Sequence, residues 1–565
     1  MPETTLNDAA AGVSFDLTEQ PWIEVLRVDG RLEELSLRAV FAQAHEVRRI
    51  TGALPTMEFA LLRVLLAIAH DALDGPADIE QWAQLWSDPD CFGPVGPYLE
   101  AHRSRFDLFD VRTPFFQTSG LRTAKDEVFS LNRIVADVPN GAPFFSARMP
   151  SAECLSFAEA ARWVVHAHAY DTSGIKTGMV GDDRVKGGKV YPLGVGWAGN
   201  LGGVFVEGRD LRETLLLNLV AADTTGLRFD PDDRPAWRRD ATGPAGIERT
   251  PTGVRDLYTW QSRRIRLHAD ARGVAGVVLG YGDPLHARNR HVYEPMSAWR
   301  RSQTQEKKHG EALVYLPREH DPERAAWRGL ASLIADRQET RQDDAGVPAF
   351  LRPGVLEWVA RLVTEGELTR GFLVRARTVG AVYGTQQSVV DEVTGDHVAM
   401  DVVLLHRQDR EYAQQAIDAV ADADEAVKAL GDLASDLQRA AGLENDSPRL
   451  TARDGGFAAL EGPYRTWLAN LGAAEDPYEQ RRHWQRRVYR IIFRLGAQLV
   501  RDAGDGAWQG RTVPTKQGSV WLNSALAHAW FTARLTKALG HPDASAEQQA
   551  DTVPTAPTPS SKVHA

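Results

Sequence analysis

Hydrophobic and polar positions follow two different rhythms along this 565-residue chain. From residue 408 onward the apolar residues return every three or four positions: Ile417, Val420, Val427, Leu430, Leu433 and Leu437 predict one long amphipathic helix over 408–441. Three more helical stretches, at about 456–471, 477–502 and 514–539, are separated by Gly, Pro and Asp. Four helices with short connections predict a C-terminal antiparallel four-helix bundle over 407–540. The tail 541–565, HPDASAEQQADTVPTAPTPSSKVHA, has no apolar period and is expected to be disordered.

The part before residue 407 is less regular. Residues 15–44 predict a strand pair turning at Asp29-Gly30, followed by a helix capped near Ser36. Helices are predicted at about 56–73, 155–169 and 209–221, and 228–256 reads as loop. Alternating residues in RRIRLHA and GVVLGYG, within 257–281, predict two strands, and strand signals recur at 371–376 and 397–405. The fold class is therefore α+β, with a large irregular N-terminal domain over 1–406 preceding the bundle. The longest apolar run, FALLRVLLAIAH (59–70), is short for a membrane span and carries Arg63, so it predicts a buried helix and no membrane partner.

Charge narrows the chemistry. Lys plus Arg number 65 against 76 acids, a net of −11, which argues against indiscriminate binding to polyanions and confines any such contact to local patches. Cys91 and Cys154 are the only cysteines, too few for a disulfide framework or a cysteine zinc site. A reducing cytoplasm fits, as does an N-terminus, MPETTLNDAAAGVSFDL, without the basic and apolar regions of a secretory leader.

Few motifs promise catalysis. GVGWAG (194–199) matches G-x-G-x-x-G but lacks a strand before it and a helix after it, so no dinucleotide site is expected. His166 and His168 in WVVHAHAY could ligate a metal and support a stand-alone metal-dependent hydrolase; without a recognisable third ligand, a structural pair is the expectation. Asp182-Asp183 and Asp232-Asp233 read as solvated loop acids.

Three stretches suit nucleic acid better. DTSGIKTGMVGDDRVKGGKVYPLG (171–194) mixes Lys176, Arg184, Lys186 and Lys189 with Gly174, Gly178, Gly181, Gly187 and Gly188, a composition that lets backbone approach a phosphate or groove. In 477–502, Arg482, Arg486, Arg490 and Arg494 recur every four residues opposite an apolar stripe of Trp484, Val488, Ile491, Leu495 and Leu499, a ladder able to follow a DNA backbone. VYGTQQSVV (382–390) sets two uncharged amides, Gln386 and Gln387, just past Gly384 between strand-like flanks, which suits reading or wedging into base edges.

Taken together, FDLTEQPWIEV, TPFFQTSG (113–120), FVEGRDLRETLLLNLV (205–220), DLYTWQSRRIRL (256–267) and YGTQQSVV followed by four helices resemble the CasA family, the large subunit of the type I-E CRISPR surveillance complex Cascade. The resemblance spans roughly 15–540 and implies the same α+β domain and four-helix bundle. It implies a non-catalytic ribonucleoprotein subunit in antiviral defence. Such a subunit recognises the protospacer-adjacent motif (PAM) in double-stranded DNA, begins strand separation for R-loop formation and docks the helicase-nuclease. Carried over residue by residue, Gln387 is the wedge, with Gln386 its neighbour and Gly384 shaping the turn; Gly187, Gly188 and Lys189 form a glycine-rich motif-reading loop. Arg290 in NRHVYEPMSAW stands where the family has a minor-groove lysine. NGAPFFSARM (140–149) matches a loop contacting the 5′ end of the guide RNA and neighbouring Cascade subunits, with Asn140 and Phe144 or Phe145 as candidates. Some members carry a cysteine zinc site that this chain lacks, so no metal and no cofactor is expected.

Overall fold

A computed structural model describes residues 13–136, 152–334, 348–406, 408–443, 445–473, 476–515 and 518–540. Two compact units emerge: residues 1–413 with 468–473, and 414–467 with 474–565.

In the first unit, strand Ile23–Arg27 is the centre of an antiparallel sheet flanked by Leu32–Leu35 and Val47–Ile50. Ser36 caps the helix Leu37–Ala42, accepting a hydrogen bond from the Ala39 amide at 3.2 Å, as the sequence predicts. The apolar run forms helix Pro55–Ala72, buried nearly all round, against which helix Phe157–Tyr170 packs. Arg63 sits in that buried helix because Glu294 meets its guanidinium with two hydrogen bonds, at 2.9 and 2.8 Å, and the Trp197 indole donates to the same carboxylate. A buried cation is tolerated there only because it is paired and hydrogen-bonded.

The predicted strands at 257–281 become the hairpin Arg263–Asp270 and Gly273–Tyr281. The signals at 371–376 and 397–405 underestimate their strands, which are Leu373–Tyr383 and Val390–Asp401, paired along their length. Gly203–Glu207 joins this long hairpin on its other edge, pairing only with Arg375–Val379. The last part of the hairpin, Gly380–Tyr383 with its partners, thus runs on beyond the third strand by about 13 Å at the usual strand rise. A third sheet, with Trp299–Arg301 between Tyr315–Pro317 and Phe350–Leu351, and the buried helix Gly354–Thr364 were not predicted. The three strands are too short for a period to be read, whereas the helix carries one, with Glu357 and Arg361 four residues apart on its polar side.

The second unit holds helices Pro477–Asp502 and Ser524–Leu539 and nearly all of helices Arg410–Ala441 and Ser447–Ala469. Small residues Ala416, Ala419, Ala423 and Ala426 line the buried face of helix Arg410–Ala441. Over them, Tyr464 and Trp484 stack edge to face at 5.3 Å and hydrogen-bond to the Ala416 and Ala419 carbonyls. Two boundaries differ from expectation. The second helix starts at Ser447 rather than 456. The fourth starts at Ser524 rather than 514, because Arg511–Thr515 and Gly518–Leu522 pair as a hairpin. Pro514 disfavours helix there, and Val513, Val520 and Trp521 suit strands.

Candidate nucleic-acid interface

The glutamine pair sits at the tip of the long hairpin. Thr385–Ser388 form a tight turn, exposed throughout, closed by the Ser388 amide donating to the Thr385 carbonyl at 3.2 Å. Gln386 and Gln387 both have left-handed backbones, φ 54° and 57°. For side-chain-bearing residues this conformation costs about 1–2 kcal/mol each, and it survives only where surroundings impose it. Gly384 is needed for close approach rather than for its own φ: a Cβ there would lie 2.5 Å from the Asp391 carboxylate. The surroundings that impose the turn include the Ser173 amide, which donates to the Gln387 carbonyl at 2.8 Å, and the Tyr383 hydroxyl, which donates to the Tyr170 carbonyl at 2.8 Å. The structure thereby brings the glutamine tip to the root of the glycine-rich segment, 214 residues away between Ser173 and Gln387.

That segment is a small hairpin. Lys176–Thr177 pairs with Lys189–Val190, and beyond it Lys186 and Lys189 exchange backbone hydrogen bonds of 2.8 and 3.2 Å. Between them Gly187 and Gly188 both have positive φ, 58° and 77°, the signature of a tight type I′ turn. A Cβ on either glycine would meet nothing within 4 Å, so the turn offers bare backbone to solvent. Of the four basic residues seen in the sequence, Lys186 and Lys189 are exposed at this turn, whereas Lys176 is buried and Arg184 half-buried. Arg184 grips the Asp182 carboxylate and the Tyr281 and Gly282 carbonyls. Lys176 pairs with Asp171 at 2.7 Å.

Buried electrostatics hold the root together. Arg263 donates to the Asp171 carboxylate and to the carbonyls of Asp171, Thr172 and Gly194, so it closes the neck of the 171–194 segment from both ends. Burial alone would raise the Asp171 carboxyl, but the adjacent Lys176 and Arg263 cations outweigh it and hold the group below the usual carboxylate range. Burial pushes the Lys176 ammonium down, and Asp171 offsets only part of that. The sequence pointed to none of Asp171, Arg263, Tyr281 and Tyr383 as site residues; the adjacent Arg263-Arg264 pair in a strand, one of which must face inward, was the available signal.

Arg290 lies on a separate turn. Asn289, φ 57°, anchors it by accepting from the Tyr315 amide and donating to the Leu313 carbonyl, and the half-buried Arg290 donates to the His286 carbonyl at 3.3 Å. Burial lowers its guanidinium from the ordinary value. Asn140, Phe144 and Phe145 lie outside the described residues.

The arginine helix Pro477–Asp502 has the predicted bounds, with Asp476 capping it. Its buried line is Trp484, Val488, Ile492 and Gly496, one residue round from the expected Ile491 and Leu495. Arg482, Arg486, Arg490 and Arg494 lie about 160° away around the helix, about 6 Å apart along it. Glu479 binds Arg482 at 2.7 Å and lies 3.9 Å from Arg486, while Arg490 and Arg494 are exposed without a carboxylate partner among the described residues. Arg481 points to a different task, bridging Asp418 and Asp422 at 2.6 and 2.8 Å.

The candidate hydrolase residues do not converge. His166 and His168 share helix Phe157–Tyr170, which sets them about 160° apart. His166 bonds to Thr56 at 2.9 Å and His168 to the Phe116 carbonyl at 2.8 Å. Among the described residues no group of three His, Cys, Asp or Glu is placed to hold a metal. Asp182 and Asp233 are buried rather than solvated: Asp233 accepts from the Arg255 and Asp256 amides and from Thr252, capping a short helix. Two of the GVGWAG glycines allow close packing, since a Cβ on Gly196 would strike the Ala169 backbone and one on Gly199 the Tyr383 hydroxyl. No helix among the described residues is long and apolar enough to cross a membrane.

Comparison with known proteins gives this geometry a family. The solved structure of Thermobifida fusca Cse1 is 55% identical with a TM-score of 0.86, the match covering 93% of this chain and 98% of that one. Cse1 from Acidimicrobium ferrooxidans is 32% identical with a TM-score of 0.78, covering 93% and 98%. A curated relative, CRISPR-associated protein CasA/Cse1 of Thermus thermophilus, is 30% identical over 340 residues, 57% of this chain and 60% of the relative's length. The profile of the family described as CRISPR-associated protein Cse1 matches residues 16–495, which shows that the chain belongs to the Cse1, or CasA, family of CRISPR-associated proteins.

Proposed function

We propose that this chain is the non-catalytic large subunit of a type I-E Cascade complex, acting in the cytoplasm to recognise the PAM in double-stranded DNA, start strand separation and recruit the helicase-nuclease. Its N-terminal domain, 1–406, supplies the PAM-reading and guide-RNA contacts, and 407–540 forms an antiparallel four-helix bundle. The observation that carries the reading is the exposed, left-handed Gln386-Gln387 tip tied through Ser173 to the root of a lysine-flanked Gly-Gly turn. A rigid amide tip without net charge can enter between base pairs, while bare backbone and lysines accept the groove and its phosphates. The guide then reads the remaining sequence by pairing.

In this reading Gln387 offsets part of the few kcal/mol needed to unstack the step beside the motif. Gln387→Ala in the assembled complex should slow R-loop formation on an intact duplex and have much less effect on a target already mismatched beside the motif. Equal losses on both targets would show an ordinary contact and no wedge.

A further inference from the structure

Among the described residues the glutamine tip has few tertiary anchors for a turn in so unfavourable a conformation. One is the Ser173 amide, and the peptides around it are themselves held by buried side chains. On the N-terminal side, the Asp171 and Thr172 carbonyls accept from Arg263, 2.8 and 3.2 Å away. On the C-terminal side, the Tyr281 hydroxyl donates to the Gly174 carbonyl at 2.7 Å and accepts from the Gly174 amide at 3.0 Å. Residues 171–174 are thus a short strut clamped at both ends, with the tip hanging from its middle. The same strut leads directly into Lys176, where the Gly-Gly hairpin begins.

Resting on the duplex-facing reading above, we propose that Asp171, Arg263 and Tyr281 are positioning residues that fix this strut and so hold the glutamine tip and the Gly-Gly turn in one frame. None of the three touches the duplex in this scheme. Asp171 is the hub, because its carboxylate neutralises two buried cations, Lys176 and Arg263, that would otherwise repel each other across the neck. Tyr281 supplies a hydroxyl that satisfies both backbone polar groups of one residue, Gly174, and its ring lies 4.9 Å from the Arg263 guanidinium carbon. A loosened strut releases the Gln387 carbonyl, and the left-handed pair relaxes toward ordinary backbone geometry.

Tyr281→Phe removes the hydroxyl and keeps the ring; Asp171→Asn keeps the shape and removes the charge. In the full-length chain, amide hydrogen exchange in 171–178 and 384–390 should accelerate together by about tenfold in either variant, the local opening having become easier. Unchanged exchange at 384–390 overturns the proposal. Tyr281→Phe guards against a folding artefact, since the melting temperature of the chain should stay near that of the parent. In the assembled complex, Tyr281→Phe should slow R-loop formation on an intact duplex about fivefold, and adding Gln387→Ala should cost little more, as expected for residues acting through one network. Additive losses overturn the positioning role. If Gln387→Ala alone leaves the intact-duplex rate unchanged while Tyr281→Phe still frees both segments, the strut stands and the duplex reading falls.

Discussion

The arginine helix gives the most quantitative test of whether the second unit contacts a DNA backbone. Arg490 and Arg494 are exposed and without carboxylate partners among the described residues, so a phosphate can bind each without displacing anything from the protein. Arg482 and Arg486 must first give up Glu479. Each phosphate neutralised on duplex DNA contributes about 0.9 to the slope of log affinity against log salt. Arg490→Ala with Arg494→Ala should therefore make that slope shallower by about 1.8. Between about 50 and about 200 mM salt, the affinity advantage of the parent should then shrink about twelvefold. Arg482→Ala with Arg486→Ala should change the slope by only about 1, because Glu479 already satisfies part of their charge. The assay is equilibrium binding of the assembled complex to duplexes with and without the motif, at several salt concentrations. Both duplexes should respond alike, since phosphate contacts carry no sequence information. An unchanged slope for the Arg490 and Arg494 pair refutes the backbone contact, and a larger effect from the Arg482 and Arg486 pair refutes the role assigned to Glu479.

Three further outcomes are expected, two from particular contacts and one from the family resemblance. Burial, the leading cause, lowers His166 and His168 to about 4 and His70 to about 3, so below pH 6.5 the unfolded chain binds more protons. Stability present above pH 6.5 is then lost as pH falls toward 4, by about 2 kcal/mol at pH 5 for His166 or His168; thermal melts at pH 7 and 5 should show the drop, and His166→Gln should reduce it. Gly496→Ala should destabilise the second unit by about 1–3 kcal/mol, because the new Cβ would strike the Phe531 ring, outweighing the gain of about 1 kcal/mol in helix propensity; a raised melting temperature would contradict that packing. Phe144→Ala with Phe145→Ala should loosen the chain from the guide-bearing complex while its own melting stays cooperative, whereas lost cooperativity with intact association would mark them as core.

What could be read from the sequence were the features written in near neighbours. The helix Pro477–Asp502 was legible to the residue, because its proline start, acidic cap and four-residue arginine period are all local. The strands around the glutamines were legible in kind, and the glycine-rich character of the loop at Gly187-Gly188 was visible, but its tight turn came from the fold. Hidden from it were the relations between distant segments. Nothing near Asp171 announces Arg263, 92 residues on, and nothing near Gln387 announces Ser173. Lys176 and Lys189 look alike along the chain, yet one is a buried partner of Asp171 and the other an exposed flank of the turn. Asp182 and Asp233 looked like solvated acids and proved to be buried acceptors. The physical reason is the same in each case. Periodicity and turn chemistry act over a few residues, so the sequence specifies helices, strands and turns; whether a charge is buried and paired depends on which chain segments the fold brings together, and only the tertiary structure decides that.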